Sequence, residues 1–198
     1  MPEKECATAK PAAEEKTEVI TIPERVSSWD DYLLNIAKAV STKSKDPKCV
    51  VGAVIASPDN VVLSTGFNGL ARGVHDDEDI LKDVEEKLKV ICHAEQNAIV
   101  NAARIGVSIH GASIFVTKFP CLACCNAIIQ AGITRVYPGD KKYWDDDPFD
   151  GDHSRKKSIL RQTHLKVVAP NHPDYASDPQ IIRMNLAPLG QSEKMPKS

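Results

Sequence analysis

Two short clusters in this chain carry residue types suited to metal-assisted hydrolysis. The first is His93-Ala94-Glu95. The second is Pro120-Cys121-Leu122-Ala123-Cys124, whose proline follows the glutamate by 25 residues. Cys121 and Cys124 stand three apart where a helix is expected to begin, so both sulfurs can point the same way. The positive end of that helix favours thiolates, the form that binds metal. His93, at the start of another helix, supplies a nitrogen. Two sulfurs and one nitrogen make three protein ligands, and a tetrahedral zinc then keeps one position open for water. Zinc lowers the pKa of such a water to about 7. Glu95 is too close in sequence to His93 to be an obvious fourth ligand, but it is well placed beside the metal. Its expected role is a proton shuttle, from the water to a ring nitrogen and then toward a departing amine.

A closed structural zinc knuckle or plain buried thiols would also use cysteines spaced in this way. A structural site normally has four ligands, and only three are evident here. Cys125 and Cys92 are adjacent to ligand residues, so on a helix each should point about 100° away from its neighbour's direction. Both are read as buried thiols near the site.

These groups need a scaffold that holds two helix starts side by side. Ser28 can cap a helix, with Asp31 three residues on, and Tyr32, Leu33, Ile36, Ala37 and Val40 recur at helical spacing. Residues 50–56 read as a buried strand, Ser57-Pro58-Asp59-Asn60 as a turn, and 61–67 as the returning strand. Residues 76–90 are charged and are expected to form a helix or an ordered loop. A helix over 93–105 stops at Gly106, and another over 122–131 stops at Gly132. Strands are expected at 112–117, 134–137 and 165–168, with a helix at 154–161. Alternating strands and helices imply an α/β sandwich, with helices covering a sheet of about five strands.

The whole chain sets outer limits. Its 198 residues suit one domain with unstructured fringes. Residues 1–25 are rich in Glu, Lys, Ala, Thr and Pro and are expected to be disordered. The domain is expected over 26–170. Residues 171–198 form an extension with four prolines, partly ordered or frayed. A net charge of -2 offers no basic footprint for a duplex or a tRNA, which favours a small substrate. No apolar run approaches the roughly 20 residues that span a bilayer, and the N-terminus lacks a secretory apolar core. A cytoplasmic protein is therefore expected. Three of the six cysteines fall between 121 and 125, and all six are read as thiols or ligands before disulfides.

The His93-x-Glu95…Pro120-Cys121-x-x-Cys124 pattern is the signature of zinc nucleobase deaminases, and the chain resembles the cytidine deaminase superfamily. Within it, the chain looks most like the deoxycytidylate (dCMP) deaminases. The narrower resemblance rests on Ser44-Lys45-Asp46-Pro47, Val51-Gly52-Ala53-Val54-Ile55, Gly66-Phe67-Asn68-Gly69, Gln96-Asn97-Ala98-Ile99, Phe119-Pro120-Cys121 and Ile128-Ile129-Gln130-Ala131-Gly132-Ile133. It covers about residues 28–170. The resemblance implies a three-layer α/β/α sandwich of the cytidine deaminase type and hydrolysis of dCMP to dUMP and ammonia. It also implies a small-molecule nucleotide partner rather than nucleic acid or membrane, and a homo-oligomer, commonly a hexamer. Asn68 is implied to bond the sugar and Ala94 to offer its backbone to the base. Ser44 and Lys45 are implied to hold the 5′-phosphate, and Tyr143 to pack on the nucleotide. Phe67 stands where tyrosine is usual. Arg72 and Val74 depart from the pattern of members regulated by dCTP and dTTP. Residues 76–90 lack the Cys and His of a second, structural site, so one Zn2+ per chain is expected. The competing readings are a deaminase of another amino-heterocycle (cytidine, deoxycytidine, guanine or a modified cytosine nucleotide) and a non-catalytic zinc-binding assembly module.

Overall fold

The segment Gly52-Ala53-Val54-Ile55-Ala56 has no polar side chain, and all five residues are buried. A strand that reads as a continuous apolar run is one covered on both faces. The computed structural model bears this out; it describes residues 26, 28–75, 78–140 and 153–168. This strand, β1 (Gly52–Ala56), lies inside a five-stranded sheet of order β2-β1-β3-β4-β5. The others are β2 (Val62–Phe67), β3 (Ser113–Val116), β4 (Arg135–Pro138) and β5 (Lys166–Val167). β1 is antiparallel to β2 and β3, whereas β3, β4 and β5 run parallel. The turn joining β1 to β2 is closed by Asn60 donating to the Ser57 carbonyl at 2.9 Å, with Asn60 at φ 64°.

Alternate residues of the strands feed two cores. Val54, Ala56 and Phe115 pack against Leu33, Leu34 and Ala37 of α1 (Trp29–Ser41), with Tyr137 stacked on Phe115 at 4.2 Å. Ala53, Ile55, Ile114, Val116 and Val136 face the other way. They meet Ala94 and Ala98 of α4 (Ala94–Ile105), Ile128 of α5 (Leu122–Gln130) and Leu160 of α6 (His153–Gln162). Helices on both faces make the expected three layers.

Local signals explain the element ends. Ser28 caps α1 by accepting from Asp31 N at 3.1 Å. Gly106 ends α4 in the left-handed region at φ 74°, a conformation that favours glycine. Observed strands start or stop one or two residues from the expected positions. The charged stretch after residue 76 forms two short helices, α2 (Glu78–Lys82) and α3 (Val84–Val90). The chain breaks between them because the Asp83 carboxylate caps the second, accepting from Glu85 N and Glu86 N. The expected tails, 1–25 and 171–198, lie outside the described residues.

Two glycines allow close approach of helix to sheet. A methyl group at Gly52 would overlap the Ala37 carbonyl of α1, and one at Gly66 would overlap Ala94 O and Ala98 N of α4. Glycine lets the backbone of β2 rest directly on the first turn of α4.

Candidate metal centre and its pocket

That contact fixes His93. Beyond β2 the chain pairs once more, Gly69 and Cys92 exchanging backbone hydrogen bonds of 3.1 and 2.9 Å. His93 follows as the extended N-cap of α4, its N–H donating to Gln96 Oε1 at 3.3 Å. Cys121 is the N-cap of α5, and Cys124 lies in that helix's first turn. Two helix N-termini therefore meet at one corner. Phe119, just before the cysteine loop, is buried with Lys156 of α6 over its ring at 5.4 Å.

At the corner His93 Nδ1 lies 3.5 Å from Cys121 Sγ and 3.4 Å from Cys124 Sγ. All three candidate ligand atoms fall within 4.8 Å of one another. A tetrahedral zinc with ordinary Zn–S and Zn–N bonds would hold such a nitrogen and sulfur about 3.6 Å apart. The residues therefore fit the metal. Cys125 does not join them; it is buried in the core, with its thiol donating to the Pro120 carbonyl at 3.6 Å. Cys92 is half-buried and lies outside the cluster too.

The protonation chemistry supports the same reading. A hydrogen bond from the Cys124 thiol, aided by His93, pulls Cys121 down to about 4 against the effect of burial. Donating that bond, and burial, push Cys124 up. Without metal the pair shares one negative charge; a divalent cation would take both sulfurs as thiolates and release a proton. Glu95 is 4% exposed, and burial pushes its carboxyl up to about 7, opposed by its own backbone N–H and by His93.

The corner is the floor of a pocket. Ala94, Glu95 and Phe119 continue the floor; Val51, Leu88 and Ile91 add apolar wall; Asp46, Asn68 and Lys87 form a polar one. This polar wall was not read from the sequence as a unit. Lys87 Nζ reaches the two Asp46 oxygens at 3.1 and 2.9 Å, with side chains 8% and 2% exposed. Asp46 also accepts from Lys48 N and Cys49 N. Asn68 donates to Cys49 O at 2.7 Å and to Asp46 at 3.3 Å, and accepts from Val51 N at 2.8 Å. Both of its amide hydrogens are used, leaving its oxygen capacity for one more hydrogen bond.

The other expected contacts are placed differently. Among the described residues, the pocket lining includes neither Ser44 nor Lys45. The Ser44 hydroxyl is turned inward and donates to Asn68 O at 2.8 Å, while Lys45 is exposed. Tyr143 lies outside the described residues. Arg72 and Val74 are exposed, and Arg72 donates to Asn101 at 3.2 Å.

Residues 27–139 match the family model described as the cytidine and deoxycytidylate deaminase zinc-binding region. The human deoxycytidylate deaminase is 36% identical over 124 residues, 60% of this chain and 68% of that one. The deoxycytidylate deaminase of Mycobacterium phage D29 is 34% identical over 123 residues, 56% of this chain and 94% of that one. Among solved structures, the dCMP deaminase of cyanophage S-TIM5, in complex with dCMP and dUMP, superposes with a TM-score of 0.55 at 27% identity. That match covers 71% of this chain and 95% of the phage chain.

Proposed function

The chain belongs to the family of cytidine and deoxycytidylate deaminases, and we propose that it converts dCMP and water to dUMP and ammonia. The observation that carries this is the convergence of His93 Nδ1, Cys121 Sγ and Cys124 Sγ beside a buried carboxyl, Glu95, on the floor of one pocket. A chain that only stored zinc would have no use for that carboxyl. The substrate is taken from the relatives, whose names and bound nucleotides point to a cytosine monophosphate.

Zinc, when bound, supplies the Lewis acidity that lets water act as a nucleophile at neutral pH. The protein's own residues do the rest. Glu95 takes a proton from the attacking water and delivers it to N3 of the cytosine ring; it then takes the remaining proton of that water, now a hydroxyl on C4, and gives it to the amine, so that the C–N bond breaks and ammonia leaves as the C4 carbonyl forms. Its burial keeps bulk water away from those transfers. Ala94, at the first position of α4, has a backbone N–H with no acceptor inside the helix, available to the edge of the base. Asn68 offers its remaining lone pair to the sugar. His93, Cys121 and Cys124 hold the cofactor, one Zn2+ for the cluster that the described residues provide.

No helix among the described residues is long and apolar enough to cross a membrane. The free cysteines fit a reducing, cytoplasmic setting. Assembly as a homo-oligomer, a hexamer by resemblance, is part of the same proposal. The exposed Val100 and Ile105 of α4 are apolar surface that such an assembly would cover.

The test is turnover by the zinc-loaded protein, followed as ammonia release and loss of cytosine absorbance. dCMP is expected to be deaminated with kcat/KM at least tenfold above that for deoxycytidine. A preference for deoxycytidine, or for guanine, would overturn the substrate.

A further inference from the structure

Strand β2 is the edge of the sheet, yet α4 closes its outer side. Backbone groups of successive residues point to opposite sides of a strand. Asn68, just past β2, donates its N–H to Val51 O at 3.2 Å, on the side of β1. The carbonyls of Phe67 and Thr65 therefore point the other way, and two side chains of α4 meet them there. Asn97 Nδ2 donates to Phe67 O at 2.7 Å, and Asn101 Nδ2 donates to Thr65 O at 2.9 Å. The spacing suits both elements. Four residues of helix advance about 6 Å, and two residues of strand advance about 6.6 Å. Two asparagines one turn apart can thus reach two alternate carbonyls.

The two bonds serve different ends. The peptide joining Phe67 to Asn68 is gripped on both sides, Asn97 taking its carbonyl and Val51 its N–H. Asn68 hangs from that peptide, and its side chain lines the pocket. Asn97 is placed in turn by the metal corner, its own N–H donating to the His93 carbonyl at 2.9 Å. One residue therefore links a metal ligand to the pocket asparagine. Asn101 grips the strand three residues before Asn68, one helical turn farther from His93. Among the described residues, the pocket lining includes neither Asn97 nor Asn101. We propose that Asn97 is a positioning residue that sets the span from the metal corner to Asn68, and through it the seat of the substrate's sugar. The inference rests on the sugar contact assigned to Asn68 above. A pocket that must hold the base at the metal and the sugar at Asn68 needs those two points at a fixed separation.

The test compares zinc-loaded full-length wild type with Asn97→Ala, Asn97→Asp and Asn101→Ala, each checked for zinc content and melting temperature. Kinetics on dCMP read the pocket, and amide hydrogen exchange over residues 68–70 reads the peptide. Loss of a neutral hydrogen bond predicts that Asn97→Ala raises KM about threefold to about tenfold, with kcat within about twofold. Exchange over 68–70 should quicken by a similar factor. Asn97→Asp keeps the shape but sets an acceptor against the Phe67 carbonyl, so it should do no better than alanine. Asn101→Ala removes an equal bond and is the control: it should lower the melting temperature as much and leave KM and the 68–70 exchange as in wild type. With Asn68→Ala already in place, adding Asn97→Ala should raise KM less than about twofold, because the group it positions is gone. An unchanged KM in Asn97→Ala, an equal rise in Asn101→Ala, wild-type behaviour of Asn97→Asp, or full additivity with Asn68→Ala would overturn the proposal. So would a fall in kcat at constant KM, which would place the effect at Glu95. If the wild type fails to deaminate dCMP, the substrate reading fails and the exchange data decide Asn97 alone. Faster exchange over 68–70 in Asn97→Ala then supports it, and unchanged exchange overturns it.

Discussion

The metal corner and the polar wall line one pocket and are built in opposite ways. The corner takes its groups from two short runs of sequence, 93–95 and 120–124, and orients them with two helix N-termini. Its charge chemistry is completed by a metal. The wall takes Asp46, Asn68 and Lys87 from three segments, the hydrogen-bonding Asp46 and Asn68 standing 22 positions apart and Asp46 and Lys87 41 positions apart. It completes its own charge, one ammonium on one carboxylate. The corner is arranged for chemistry, and the wall for holding shape. If that contrast is right, damage to the corner should abolish turnover without unfolding the protein, and damage to the wall should do the reverse.

The largest effect should come from Glu95→Gln. The amide is nearly isosteric and cannot move protons. General acid-base steps are worth about 10²–10⁴-fold, and Glu95 serves more than one transfer, so kcat should fall by about 10⁴ or more. Zinc content by elemental analysis and the melting temperature should stay close to wild type. Cys124→Ala should lose the metal and the activity together. Near-normal turnover in zinc-loaded Glu95→Gln, or full zinc in Cys124→Ala, would dissolve the assignment of the corner.

How visible each region is in the sequence follows from how it is built. The corner is local, so spacing alone exposes it: Cys121 and Cys124 share a helix start, and the His-x-Glu pair sits at another. The layers were also legible, because β1 is apolar on both faces and Gly106 and Gly132 mark helix ends. The wall was not legible. Lys87 sits in a run of charged residues that resembles a solvated helix face, and only tertiary packing places it against Asp46. A signal did exist in Asp46-Pro47, a turn pair whose carboxylate accepts from Lys48 N and Cys49 N. Such a carboxylate is committed to local structure. Ser44 and Lys45 stood out instead because the family resemblance puts them at the 5′-phosphate. The fold turns the serine into the backbone and leaves the lysine in solvent.

A middle-sized effect is expected at the wall. Lys87→Met keeps the stem and removes the charge, leaving the Asp46 carboxylate buried without its cation. Breaking a buried pair from one side costs about 3–5 kcal/mol. Asp46 keeps its backbone and Asn68 donors, so the lower end applies. Unfolding in urea should show the loss, and zinc content at temperatures where the protein is folded should not change. Because Asn68 and the 49–51 loop hang on Asp46, KM for dCMP should rise more than kcat falls. Lys87→Arg should recover part of both. A variant as stable as wild type would show that the pair contributes specificity of packing without net stability, as some buried ion pairs do. A fall in kcat with unchanged KM would move Lys87 to the side of the corner.

The smallest effect is expected at Gly66, where the two regions share a support. Gly66 lies on β2 two residues before Asn68, and its Cα faces the backbone of α4 at Ala94 and Ala98. One strand therefore leads into the wall's asparagine and bears the helix that presents His93 and Glu95. In Gly66→Ala the new methyl meets backbone atoms, which cannot rotate away, so α4 must move off the sheet or β2 must bend. Overpacking of this kind costs about 1–3 kcal/mol. Part of that cost is offset because alanine narrows the unfolded ensemble. A shift of the helix start carries His93 away from the cysteines, which stay on α5. Zinc affinity, measured by chelator competition, should therefore fall along with the melting temperature, and kcat of the zinc-saturated protein should fall as Glu95 moves with the helix. A bend in β2 would instead displace Asn68, leaving zinc affinity intact and raising KM. The two outcomes separate by a metal titration alone, and they show which of the two regions yields first when their common support is strained.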